Sequence, residues 1–507
     1  MSPFNIALLW TVLSRKRNSR LLSTVGLLLS LAQAVFPASY VLVPKPSEGG
    51  VYIEVHIEKP SKEFRMPAWA PGDYRIVNFG KRLRNVSFTL DGGSVSYERS
   101  DDPNLWKLPN GADKVSYFVP STGPSLFTED IRVNSQEMYI EGPAVFGYFQ
   151  GHQEERQTLK VRLLSVNASI ETALEKMDSD SEGWGGFSAP NYETLVDSPI
   201  VMGTKIRVKT FMVAGKEHRI VGFNNPQSVD LEEYARVSQR IVEAVYDLFG
   251  ELPYKRYLFL FDFGGSGGGL EHANCARLAI PSGTRAIHVA SFIAHEYFHA
   301  FNVKRIRPKV LGPFDYTKPA ITGTLWWMEG VTDYYAEVLI TRAGLQTRKD
   351  FLEDMSYTIQ ALESTPASMR VSADESSRRV WEANNSSGYG LDYYLKGKAI
   401  GLLFDISIRG YTKGERSLDD VLLALYKETK NGKPGFEENR IKELCVMFGG
   451  KEMESLYDRA VLKPGKLPFS EVAPLIGMKW ESGALFDDPR AEPEKRNLGK
   501  MFPYSKK

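Results

Sequence analysis

Two histidines flank a glutamate four residues apart in His295-Glu296-Tyr297-Phe298-His299, and this is the stretch of the chain with the most evident chemistry. On a helix of 3.6 residues per turn, positions i and i+4 lie one above the other. Both imidazoles can therefore reach one metal ion while Glu296 projects beside them as a proton acceptor, the arrangement a catalytic zinc needs. The chain has only seven histidines, so the pattern is not a by-product of composition. Ser291 is placed to cap a helix from about 292 to 302, in which Phe292, Ile293, Tyr297, Phe298 and Ala300 are apolar. A polar pair in so apolar a helix is costly to bury without a partner, and a metal supplies one.

A catalytic zinc takes three protein ligands and leaves a fourth position for water. Downstream, Leu325-Trp326-Trp327-Met328-Glu329-Gly330 is an apolar run broken by one acid, and a helical pattern continues through Ala336, Val338, Leu339 and Ile340. Glu329 is the expected third ligand. Asp333, four residues later on the same face, is placed to accept the free ring N–H of His295 and fix its tautomer. A third feature lies upstream. The apolar strand pattern Tyr257–Phe263 runs into a glycine-rich loop, 264–269, followed by Leu270, Glu271 and His272. No Gly-Lys-Ser/Thr follows, so this is not a phosphate loop. Gly268 and Gly269 would let a peptide backbone approach closely.

The segments 295–308 (HEYFHAFNVKRIRP), 311–316 (LGPFDY) and 325–330 (LWWMEG) resemble the glycyl aminopeptidase family of zinc metallopeptidases, many of whose members end in a PDZ domain. Residues 64–74 (FRMPAWAPGDY) resemble a segment of that family's N-terminal β-domain, with Asp73 where serine is usual. The resemblance implies an α+β protein: an N-terminal β-rich domain, then a thermolysin-like zinc metallopeptidase domain with a mainly helical C-terminal half. It implies one Zn2+ held by His295, His299 and Glu329. It also implies that Glu271, in Gly-Gly-Leu-Glu-His, binds the free α-ammonium of a peptide substrate, and that Tyr394 donates to the oxyanion, with Tyr393 as its competitor. The expected activity is removal of small N-terminal residues such as glycine. An endopeptidase of the same fold, and a non-catalytic peptide-binding protein, are the alternatives.

Composition sets the remaining bounds. With 63 basic against 62 acidic residues there is no electrostatic footprint for nucleic acid. Cys275 and Cys445 are the only cysteines, too few for a disulfide framework or a thiolate metal site. Arg15, Lys16, Arg17 and Arg20 precede an apolar run to Phe36, which reads as an export signal cleaved between Ala34 and Ala38 or as an uncleaved anchor, the only expected contact with a membrane. Alternating patterns predict a β-rich domain over 39–215, and helical periods a catalytic domain over 216–465. The remaining 466–507 is expected to be too short for a PDZ domain and loose from 481 onward.

Overall fold

The computed structural model describes residues 38–123, 128–178, 182–383, 390 and 392–504. The expected export segment lies outside them. Among the described residues no helix is long and apolar enough to cross a membrane.

The first half is built on a ten-stranded, largely antiparallel sheet. Strands Gly50–Arg65 and Leu105–Pro120 pair along nearly their whole length, from Gly50 opposite Pro120 to Arg65 opposite Leu105. Ala38–Lys45 lies on the other side of Gly50–Arg65, and its residues alternate between buried and half-buried. That alternation is what a sheet with one covered face imposes. The covered face buries Leu42, Ile53, Val55, Phe64, Val115 and Tyr117. A four-stranded sheet of Ile131–Val133, Glu137–Ile140, Ser169–Thr172 and Ile200–Gly203 completes this half.

A five-stranded sheet follows, in the order Arg207–Val213, Lys216–Phe223, Arg256–Asp262, Cys275–Ala279, Gly269–Glu271. The turn between the first two strands falls at residues 214–215, so Arg207–Val213 belongs with the later sheet. Arg256–Asp262 runs parallel to both of its neighbours and is buried from Tyr257 to Asp262. Covered on both faces, it reads in sequence as an unbroken apolar run. The covering helix Leu231–Phe249 is capped by Asp230, whose carboxylate accepts from Glu232 N–H, and it ends on Gly250 in the left-handed region. The edge strand Gly269–Glu271 is antiparallel to Cys275–Ala279, with Glu271 opposite Ala276.

The rest is mainly helical and centred on Tyr393–Tyr411, which is buried on most of its surface. Both cysteines are free and buried in the core. The expectation of a loose end from 481 is corrected up to residue 504. Met478–Glu481 and Ala484–Asp487 form a hairpin, and Pro493–Met501 a helix. Phe502 is fully buried with its ring 5.6 Å from that of Phe351. Arg348 donates to the carbonyls of Phe502 and Gly499, both at 2.8 Å, and Arg342 donates to that of Pro503 at 3.1 Å. The buried Leu485 and Phe502 side chains and a set of arginines to backbone carbonyls hold a segment whose composition is otherwise polar.

Candidate metal centre

The helix bearing the histidines runs Ala290–Phe298, with His299 as its C-cap. Ser291 does not cap it. A 3-10 turn, Ala286–Val289, leads straight in, and the Ala290 N–H is already satisfied by the Ile287 carbonyl. The Ser291 hydroxyl instead donates to the Glu337 carboxylate.

His295 and His299 Nε2 lie 2.9 Å apart. Glu329 Oε2 lies 3.1 Å from His299 Nε2 and 3.6 Å from His295 Nε2. These three side chains are the only group of metal-capable donors to converge in this way among the described residues. The far nitrogens are fixed as well. His299 Nδ1–H donates to the Asn302 carbonyl at 2.8 Å, and His295 Nδ1 faces Asp333 Oδ1 at 2.7 Å. With its proton on Nδ1, each imidazole turns an Nε2 lone pair toward the cluster.

Glu329 sits in a π-helical turn, Trp326–Val331, that continues into the helix Thr332–Arg342. Such wide turns recur at functional sites because they re-aim a side chain from a helix. Two glycines make room for this one. A Cβ on Gly330 would lie 2.4 Å from Gly397 Cα, and one on Gly397 would lie 2.1 Å from the Trp326 carbonyl oxygen. The π turn and the central helix therefore touch backbone to backbone. Asn302 braces the turn from the other side, donating to the Trp327 carbonyl and to Thr332 Oγ1, both at 2.9 Å.

Burial pushes the Glu296 carboxyl up to about 7, against the pull of the two histidines. Burial also works against ionisation of Glu329, but the adjacent His299 and His295 outweigh it and hold that carboxyl well below the usual range. Gly269 packs directly on Glu296: a Cβ there would fall 2.1 Å from Glu296 Oε1. Because alternate residues of a strand face the same side, Glu271 projects toward the same cleft as Gly269. Glu271 is 7% exposed. Its Oε1 is 4.0 Å from Nζ of Lys304, which in turn pairs with Asp197 at 3.0 Å. Gly268, one residue before the strand, has a φ of +105° and accepts at its carbonyl from the Ala279 N–H at 2.9 Å.

Tyr394 opens the central helix, where Asp392 caps its backbone N–H at 2.8 Å. Its ring lies over that of His295, with centroids 6.1 Å apart and planes at 24°. Tyr393 is packed behind it, with ring centroids 5.0 Å apart. Burial and the charge of Glu329 raise the Tyr394 pKa, so the phenol keeps its proton. Three neighbours escaped the sequence reading: Asn302, Lys304 and Tyr74. Asn302 and Lys304 lie within the 295–308 segment and Tyr74 within the 64–74 segment, so the signal was in plain view without a role attached to it.

Models of the M61 glycyl aminopeptidase and of the peptidase M61 N-terminal domain match residues 288–400 and 40–204, together more than half of the chain. The chain belongs to the M61 glycyl aminopeptidase family. By that membership it is an enzyme, a metallopeptidase, and the buried His-His-Glu cluster is a site suited to zinc. No curated protein sequence matches it. Among solved structures, an aminopeptidase N family protein from Idiomarina loihiensis is similar at 23% identity and a TM-score of 0.79, covering 87% of this chain and 78% of that one. An M1 zinc metallopeptidase from Deinococcus radiodurans gives 14% and 0.54, covering 86% and 95%. Native yeast LTA4 hydrolase gives 13% and 0.54, covering 86% and 68%. At these identities the likeness is one of fold: the M61 chain shares the β-rich and thermolysin-like architecture of the M1 metallopeptidases.

Proposed function

We propose that this M61 protein is a zinc aminopeptidase that removes a small N-terminal residue from peptides. The observation that carries the reading is a buried carboxylate, Glu271, on a sheet edge whose Gly269 packs against Glu296 beside the His295, His299 and Glu329 cluster. A carboxylate in that position pairs with a free α-ammonium and so locates the end of a chain.

The donor set fits zinc. Two imidazole nitrogens and a carboxylate oxygen, all buried, converge within 2.9 to 3.6 Å of one another. Atoms that each present a lone pair repel unless a proton or a metal ion lies among them, and with the ring protons on Nδ1 a metal ion is the group that fits. His295, His299 and Glu329 would hold the ion, with Asp333 orienting His295. Zinc in such a site supplies Lewis-acid polarisation and activates water for attack on a carbonyl.

The residues of the chain then have separable tasks. Glu296, buried beside the cluster, takes the proton of the attacking water and returns it to the leaving amine. Tyr394, a neutral phenol beside His295, donates to the oxyanion. Gly268 and Gly269 give the substrate backbone access to the sheet edge. A Deinococcus radiodurans M1 zinc metallopeptidase has been solved with a Tyr-ser-ala substrate, which supports peptides as the ligand class for this fold. The preference for glycine follows the family, and the basic-then-apolar order of residues 15–36 supports export.

The metal and the base separate by mutation. Glu296→Ala is expected to keep about one zinc per chain and lose turnover, while His299→Ala loses the metal. Full turnover by purified Glu296→Ala would overturn the mechanism.

A further inference from the structure

The chain brings a third tyrosine to this cleft from its first half. Residues 68–74 are docked onto the catalytic half: the Trp69 indole N–H donates to the Asp315 carbonyl at 2.9 Å, and the Ala68 N–H to that of Tyr316 at 2.8 Å. Gly72, with a φ of +88°, lies directly over Glu271. A Cβ on it would come within 3.1 and 3.3 Å of the two carboxylate oxygens and 2.5 Å of Leu270 Cδ1. Two residues on, Tyr74 is buried, its ring edge-on to Trp381 at 5.7 Å, and Trp381 is itself edge-on to Trp69 at 5.1 Å. Tyr74 thus lies in a fixed aromatic corner. It lines, with Gly72, Glu271, Lys304 and Phe314, one small cavity of about 10 Å³, the size of a single water or ammonium group.

A peptide's α-ammonium carries three N–H donors, and each needs an acceptor once water is excluded. The three N–H bonds diverge, so the single carboxylate of Glu271 can meet at most two of them, and its Oε1 is turned toward Lys304 at 4.0 Å. Another acceptor is required, and it should be uncharged, because the carboxylate already matches the charge. A phenol oxygen meets that need, since it can accept while giving its own proton elsewhere. Burial and the nearby charge of Glu329 keep the Tyr74 hydroxyl protonated. The division of labour among the tyrosines follows from their neighbours: Tyr394 stacks on the metal-cluster His295, whereas Tyr74 shares its cavity with Glu271.

We propose that Tyr74 is a recognition residue for the substrate's free amine, its phenol oxygen accepting one N–H of the α-ammonium that Glu271 holds by charge. This rests on the reading of Glu271 given above. It makes the amine site a joint product of the β-rich half and the catalytic half.

The test uses the zinc-loaded full chain as wild type, Tyr74→Phe, Glu271→Ala and the double variant. Each is assayed on a glycine-led tripeptide with a free amine and on its N-acetyl form, with zinc content measured in parallel. Tyr74→Phe is expected to raise KM for the free peptide roughly 10-fold, the scale of one hydrogen bond to a charged group, with kcat within about 3-fold and zinc unchanged. Added to Glu271→Ala, it should change KM less than about 3-fold, because the ammonium is no longer held there. An unchanged KM, a loss confined to kcat, lost zinc, or a full additive effect in the double variant would each overturn the Tyr74 assignment. If Glu271→Ala raises KM and Tyr74→Phe does not, only this inference fails. If Glu271→Ala has no effect, the amine-site reading beneath it fails, and this inference with it.

Discussion

Replacing Asn302 with alanine tests whether the metal site depends on a brace outside its ligands. The Asn302 side chain is fully buried, and its amide donates to the Trp327 carbonyl and to Thr332 Oγ1 at 2.9 Å, on either side of Glu329. Truncation removes two buried hydrogen bonds, each worth about 0.5–1.5 kcal/mol net, and leaves the Trp327 carbonyl without that donor, a further cost of about 1–3 kcal/mol. The backbone carbonyl that orients His299 is retained. The expected loss is about 2–6 kcal/mol of stability in chelator-stripped protein, read by urea unfolding. Zinc affinity, read by competition with a chromogenic chelator, should fall about 10- to 100-fold, the usual scale for a group that orients a ligand. If stability falls but zinc affinity does not, the π turn holds Glu329 without Asn302 and the reasoning is wrong.

Two further substitutions probe the central helix. Tyr394→Phe removes an oxyanion donor and little volume, so kcat should drop about 10²–10³ with KM nearly unchanged, while Tyr393→Phe changes kcat little; the reverse outcome would move the role one residue back. Lys396 is fully buried with its ammonium donating to the Val371 carbonyl at 3.2 Å, and burial lowers its pKa from 10.5 to about 8. Between those values the unfolded chain binds more protons, so unfolding free energy should rise with pH from about 8 to 10.5, and the penalty is fully present at pH 7. Lys396→Met should therefore stabilise the protein at pH 7 by about 1–3 kcal/mol and flatten that rise, and a destabilised variant in urea unfolding would refute it.

The readable part of the site is local. His295 and His299 share a face because helical period alone puts them there, and Asp333 follows Glu329 by one turn for the same reason. The strand Arg256–Asp262 was equally plain, since burial on both faces leaves an unbroken apolar run. What escaped depends on distant partners. Asn302 matters because the chain returns 25 residues later to be braced by it, and Tyr74 because a loop of the β-rich half crosses to Glu271. The π turn around Glu329 is invisible in the residues themselves, because it follows from the Gly330–Gly397 backbone contact. The C-terminal segment looked loose for a similar reason. Its composition is polar, and the buried side chains of Leu485 and Phe502, with arginine contacts, supply the anchoring.

The most direct test of the whole account is one preparation assayed on a glycine-led peptide and its N-acetyl counterpart, before chelation, after chelation, and after zinc is restored. The account predicts release of the first residue from the free peptide alone, abolished by chelation and recovered with zinc. Equal cleavage of the acetylated peptide, or full turnover by metal-free protein, would contradict it.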